Sequence, residues 1–263
     1  MQSTKKIAVA GATGRVGRHV VDVLEAQGHD VVPISRSGGV DVITREGLAE
    51  ALAGVESIID AATQPSPDQG AATAFFTTSA RNLQRLGEEA GARRIVLISI
   101  VGVDRFTGGF LAAKAAHEQA LLAGPIPVHI LRATQFHEFV PQMIEWGTQA
   151  DAIYVPRIRT QLVAARSVAE AVAELDDVAA RTPSSNGASI TEIGGPRAES
   201  LVEVTRLFAS RRGETLPIEE VVDTADPDHD LLVNGALLPG PGATLAGPTF
   251  REWLETPAEV AQS

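Results

Sequence analysis

The first half of the chain alternates short unbroken apolar runs with stretches of helical spacing. Residues 6–10 (KIAVA) form a β-type run, and residues 11–17 (GATGRVG) supply turn residues. Val20, Val21 and Leu24 then recur at helical spacing until Gly28 stops the pattern. After His29-Asp30, VVPIS returns to strand character, so the first 35 residues predict one βαβ unit, which requires a parallel sheet and a right-handed crossover. The alternation continues. Residues 45–54 (REGLAEALAG) predict a helix, 57–62 (SIIDAA) a buried strand, 71–91 a long helix and 93–99 (RRIVLIS) another buried strand. A helix from about Phe110 to Ala123 and a strand over 127–133 (PVHILRA) complete the series.

About six strands with helices between them predict a doubly wound α/β sheet of Rossmann type. Beyond residue 135 the pattern changes. Residues 141–263 hold 10 of the 15 prolines, with short strand-like pieces (AIYVP, SITEIGG, LPIEEVV) and helical pieces (SVAEAVAEL, SLVEVTRLFASR). The organisation expected is a nucleotide-binding core over 1–135 and a smaller irregular lobe over 136–263 on the substrate side, packed on the core as one continuous structural unit.

Composition narrows the chemistry. Apolar residues are 44% of the chain and charged residues 21%, and no apolar run reaches the length of a membrane span. The absence of cysteine excludes disulfides, thiolate metal sites and a cysteine nucleophile. A net charge of −11, with basic residues clustered only in dipeptides such as Arg93-Arg94 and Arg211-Arg212, argues against a nucleic-acid partner. No apolar leader precedes the first strand, so a cytoplasmic location is expected.

Gly11, Gly14 and Gly17 lie between a strand and a helix, where missing side chains let backbone N–H groups approach a pyrophosphate at the positive helix end. Thr13, Arg15 and Val16 complete the loop, and Ala62 ends the third strand. The bland alternative is a tight turn in an α/β protein that has lost its ligand. Dinucleotide folds usually carry an acidic residue about 20 positions after the loop to hold the ribose 2′-hydroxyl. Here the second strand ends in Ser35-Arg36-Ser37, a guanidinium between two hydroxyls, which suits a 2′-phosphate and favours NADP(H) over NAD(H). Arg36 as a solvated surface residue is the competing reading. Asp41 is either an adenine-side or ribose contact or an exposed loop carboxylate.

With GATGRVG, SRSG, LISIVG at 97–102, Lys114 and ILRATQFHEF at 130–139, the sequence resembles the atypical short-chain dehydrogenases/reductases of the NmrA-like and isoflavone-reductase-like type along essentially its whole length. The resemblance implies a Rossmann fold, a bound NADP(H) and a site at the C-terminal ends of the strands. Ordinary members combine a serine, a tyrosine and a lysine four residues after the tyrosine. Ser99 and Lys114 stand for two of these, but position 110 is Phe, and the only tyrosine is Tyr154. A phenyl ring has no exchangeable proton. Isoflavone-reductase-like relatives lack that tyrosine too, which makes Lys114 the first candidate for acid–base work and for the ribose.

Gln135 and Phe136 are expected to shape the nicotinamide pocket just after the strand at 127–133, counted as the sixth, and His137 is a candidate proton-transfer residue or a packing residue. His117 and His129 lack carboxylates at metal-ligand spacing, and neither HExxH nor GxSxG occurs, so no catalytic metal and no serine-hydrolase elbow are expected. Phe139, Met143, Trp146 and Tyr154 are either walls of a substrate pocket or core. The leading expectation is an NADP(H)-dependent oxidoreductase for a small apolar carbonyl or enone. A non-catalytic NADP(H) sensor and a redox-neutral biosynthetic enzyme are the alternatives. The partners implied are a small-molecule substrate and, left open by the sequence, a second copy of the chain.

Overall fold

The computed structural model describes residues 4–64, 66, 68–181 and 188–256. In chain order it runs β1 (Lys6–Ala10), α1 (Gly17–Ala26), β2 (Asp30–Ile34), α2 (Leu48–Leu52), β3 (Ser57–Asp60), α3 (Gln69–Ala90), β4 (Arg94–Ile100), α4 (Gly109–Leu122) and β5 (Val128–Ala133). It continues through α5 (Phe139–Gly147), β6 (Ile153–Pro156), β7 (Arg159–Thr160), α6 (Ala165–Arg181), β8 (Ala188–Gly194) and β9 (Glu199–Ser200). It ends with α7 (Leu201–Arg212), β10 (Ile218–Val221), α8 (His229–Val233), β11 (Thr244–Leu245) and α9 (Phe250–Trp253).

Seven strands form one sheet in the order β11-β8-β5-β4-β3-β1-β2. This is the expected doubly wound α/β architecture. β1 pairs in parallel with both β2 and β3, so the strand order reverses between β1 and β3, where folds of this kind open a ligand crevice at the carboxyl ends of the strands. Two expectations are corrected. The strand at 128–133 is the fifth in the chain, and the sheet reaches seven because β8, read as a lobe fragment, and β11 join it. On α1 the buried valine beside Val20 and Leu24 is Val23, and Val21 is only half-buried.

The chain divides into two compact units that interleave along the sequence. Among the described residues, the first comprises Met1–Ser99, Gly109–Arg132 and Val168–Thr191. Its core joins Ile34, Leu48, Leu52, Ile58, Leu83, Ile95, Leu97, Leu121 and Ile130. Burying side chains of this size contributes roughly 1.5–3 kcal/mol each, so these positions dominate the unit's stability. Asp176 on α6 fastens that helix to the strands. It accepts from Lys5 Nζ at 3.1 Å, from Arg94 Nε at 2.6 Å and from the Ser57 hydroxyl. A carboxylate this deeply buried is tolerable only because two cations and a hydroxyl surround it.

The second unit comprises Ile100–Gly108, Ala133–Ser167 and Glu192–Ser263, again within the described residues. Val140, Met143, Ile153, Leu201, Phe208, Phe250 and Trp253 form its core, and β6 pairs in parallel with β10 and β7 antiparallel with β9.

Candidate functional site

The glycine loop follows from contacts that leave no room for a side chain. Gly11 has φ +76°, and a Cβ there would lie 2.6 Å from the Ala61 carbonyl oxygen. A Cβ on Gly17 would lie 2.1 Å from the Gly11 carbonyl oxygen, so the start of α1 packs directly on the turn. The N-terminus of α1, its first turn free of acidic residues, therefore opens beside the crevice at the β1/β3 reversal.

That crevice holds a cavity of about 390 Å³ lined by Gly11, Thr13, Gly14, Ile34, Ser35, Arg36, Val40, Asp41, Val42, Ile43, Thr44, Ala61, Ala62, Thr63, Gln64 and Phe75. Ser35 Oγ accepts the Gly38 N–H at 3.2 Å and lies 3.1 Å from Ser37 Oγ, which fixes the tight turn that carries the exposed Arg36. Asp41 Oδ1 is spent on its own turn, accepting the N–H groups of Ile43 at 2.6 Å and Thr44 at 3.2 Å. Glycine backbone at one end, a guanidinium and hydroxyls at another, and apolar walls between them fit a dinucleotide, and the volume lies within the usual range for ligand pockets. Of the candidate cofactor residues, Gly11, Thr13, Gly14, Ser35, Arg36 and Ala62 line this cavity. Arg15, Val16, Gly17, Ser37, Lys114 and Gln135 do not line it.

Beside the end of β3 lies a buried polar chain. Asp60 Oδ1 accepts the Ala62 N–H at 3.0 Å, and its Oδ2 lies 3.0 Å from His117 Nε2. His117 Nδ1 lies 3.0 Å from Lys114 Nζ. Asp60 and His117 are fully buried and Lys114 is 6% exposed. The Phe76 ring covers the group, stacked on His117 at 4.8 Å and lying 4.8 Å below the lysine nitrogen. Burial pushes Lys114 down from 10.5 to about 8, with Asp60 and Glu118 opposing the shift. Burial and the Lys114 cation together hold His117 below its ordinary value, against the pull of Asp60 and Glu118. Burial alone would raise Asp60, but His117, Lys114 and the Ala62 N–H outweigh it and keep the carboxyl below its usual range.

The family described as NAD(P)H-binding matches residues 11–177, which contain the glycine loop, the cavity lining and this polar chain. The chain belongs to the NAD(P)H-binding family. Among curated proteins, this NAD(P)H-binding chain is 25% identical over 240 residues to the photosystem II assembly factor Ycf39 of Synechocystis sp., covering 82% of this chain and 70% of that one. Its fold is shared by dTDP-4-dehydrorhamnose reductase of Bacillus anthracis, solved with NADP, at a TM-score of 0.70 and 17% identity over 99% of this chain and 100% of that one. It is also shared by the Bordetella bronchiseptica enzyme WbmG, solved with NAD and UDP, at 0.69 and 16% over 99% and 95%. These likenesses to solved structures show a shared fold.

The remaining candidates fall in separate surroundings. Ser99, 2% exposed at the end of β4, donates its hydroxyl to Glu118 Oε1 at 2.5 Å, and Glu118 is held by Arg132 through contacts of 3.0 and 2.7 Å. Phe110 meets Phe76 edge-on, with centroids 5.5 Å apart. Gln135 Oε1 accepts from Thr160 Oγ1 at 2.7 Å within the second unit. His137 lies fully buried there, its ring 5.4 Å from both Phe250 and Trp253 and its Nε2 3.1 Å from the Pro248 carbonyl oxygen. Burial lowers it from 6.5 to about 4, so at neutral pH it is an uncharged imidazole donating from Nε2. Met143 is buried, Phe139 and Trp146 meet edge-on at 6.0 Å with Trp146 59% exposed, and the Tyr154 hydroxyl donates to Asp151 at 3.1 Å.

Sequence reading left His117 without a partner and did not single out Asp60. One signal was available: an acidic residue ending an otherwise apolar buried strand, with a histidine three residues after the candidate lysine on one helix face. Among the described residues there is no group of three or more His, Asp or Glu that could hold a metal ion, and no helix long and apolar enough to cross a membrane.

Proposed function

We propose that this NAD(P)H-binding protein is an NADP(H)-dependent oxidoreductase of the atypical short-chain type, acting on a small apolar carbonyl or enone-like molecule in the cytoplasm. In this reading residues 1–135 carry the cofactor and 136–263 shape substrate preference. The observation that carries the cofactor choice is Arg36 at the cavity wall, between Ser35 and Ser37, with the neighbouring Asp41 carboxylate committed to its own turn. A planar guanidinium recognises a phosphate through paired, charge-assisted hydrogen bonds.

When bound, the nicotinamide supplies hydride transfer. The backbone N–H groups of the glycine loop and the N-terminus of α1 would hold the pyrophosphate, and Ala62 would form part of the wall of the dinucleotide site. Lys114 is the residue that manages the proton: its ammonium donates from Nζ to a substrate oxygen, and a lysine brought near pH 8 by burial changes protonation readily at that atom. Ser99 supports the helix that carries Lys114 through Glu118, since its hydroxyl proton is already committed.

Purified protein incubated with NADPH and a panel of small ketones, aldehydes and enones tests this reading. Stoichiometric NADPH consumption with reduced product is the expected outcome. Turnover without net consumption would replace it with a redox-neutral enzyme. Tight NADPH binding without turnover would favour a non-catalytic sensor, the reading to which Phe110 in the tyrosine position lends weight.

A further inference from the structure

Phe110 leaves the lysine without a phenol to work through, yet Lys114 is not isolated. We propose that Lys114, His117 and Asp60 form a proton relay, in which His117 positions the lysine amine and passes its proton to and from Asp60. The inference rests on the oxidoreductase reading above and assigns to Asp60 and His117 a positioning role that the cofactor fold does not require.

The geometry fixes the direction of each bond. Asp60 can only accept when ionised, and its Oδ1 already holds the Ala62 N–H, so its Oδ2 accepts the Nε2–H of His117. With that proton on Nε2, Nδ1 of a neutral His117 is an acceptor facing Lys114 Nζ at 3.0 Å. The resting chain is therefore ammonium, imidazole, carboxylate. If Nζ gives its proton to Nδ1 while the Nε2 proton moves to Asp60 Oδ2, the chain becomes amine, imidazole, carboxylic acid. No net charge appears within the buried trio, and the reverse shift restores the ammonium. Lys114 can thus stand as an acid or, with its proton parked on Asp60, as a base.

The groups around the relay suit this exchange. From α4 itself Glu118 faces the lysine, but it is committed to Ser99 and to Arg132 of β5. From α3 only the Phe76 ring covers the pair. From β3 comes Asp60 alone, and its link to the Ala62 N–H connects the relay to the wall of the nucleotide cavity. A histidine present only for packing needs neither a carboxylate on Nε2 nor a lysine on Nδ1, because a buried polar pair costs more than an apolar filler of the same volume.

The test is nitrogen-15 NMR of the full-length protein, following the His117 ring nitrogens and Lys114 Nζ through a pH titration, with and without NADPH. The relay predicts the Nε2–H tautomer and an Nδ1 signal that moves with the Lys114 midpoint. In Asp60→Asn the tautomer preference should be lost and the Lys114 midpoint should fall by about one pH unit, a tenfold change in proton affinity. A His117 signal that stays constant while Lys114 titrates, or an Nδ1–H tautomer, would overturn the relay, and the wild-type titration alone decides this if the variant does not fold. Coupled titration in a protein that turns over none of the carbonyl panel would keep the relay and sink the oxidoreductase reading. Turnover whose pH profile is unchanged in His117→Asn would do the reverse.

Discussion

His117 Nε2 lies 3.0 Å from Asp60 Oδ2, and neither side chain is exposed to solvent. The contact joins the end of β3 to the middle of α4 across 57 positions of sequence and leaves the other ring nitrogen to face Lys114. A strand that contributes its apolar length to the core thus delivers one carboxylate to the helix bearing the candidate acid–base residue.

Lys114 should write itself into the pH dependence of stability. Its folded value of about 8 lies below the ordinary 10.5, so between these limits the unfolded chain binds more protons than the folded one, and stability rises with pH. The gap corresponds to about 3 kcal/mol. Urea unfolding across that window should show the rise in wild type and a flatter curve in Lys114→Met. Parallel curves would contradict the burial of a charged lysine.

Ser99 should matter to stability more than to nucleotide binding. Its hydroxyl donates to a buried carboxylate, so Ser99→Ala should cost about 1.5–3 kcal/mol of unfolding free energy. NADPH affinity, measured by fluorescence titration, should stay within about twofold, a shift below 0.5 kcal/mol. A large loss of turnover with stability intact would instead put this hydroxyl into the chemistry.

His137 should make the fold acid-labile. Its folded value of about 4 lies below the ordinary 6.5, so its contribution is fully present above about 6.5 and is lost as pH falls towards 4. The expected loss is about 3 kcal/mol, read by thermal or urea unfolding. His137→Phe should reduce that acid sensitivity while leaving NADPH binding in place. Lost nucleotide affinity at unchanged stability would argue for a role at the cofactor.

Local features of this fold were legible in the sequence, and long-range pairings were not. Ile7 to Ala10, Gly11, Gly17 and the helix after them announce themselves because strand, turn and helix all lie within one short stretch. Ser99 and Lys114 were visible as residue types, but the commitment of Ser99 to Glu118 depends on where α4 packs. Lys114 and His117 are readable as neighbours on one helix, whereas Asp60 comes from a separate strand, and apolar periodicity carries no record of which acid meets which base. Likewise SVAEAVAEL reads as a helical piece, but only Lys5 and Arg94 meeting Asp176 reveal which core it joins. In the last third, β8 reads as an isolated short strand because its partner in the sheet precedes it by more than fifty residues.

The most direct test of the central claim is a fluorescence titration of wild type and Arg36→Ala with NADPH and NADH. A guanidinium holding the 2′-phosphate by charge-assisted bonds worth roughly 1.5–3 kcal/mol predicts NADPH binding about 10 to 100 times tighter than NADH, with most of that preference lost in the variant. Equal affinity for the two nucleotides in wild type, or a preference that survives the substitution, would contradict the assignment of NADP(H) through Arg36.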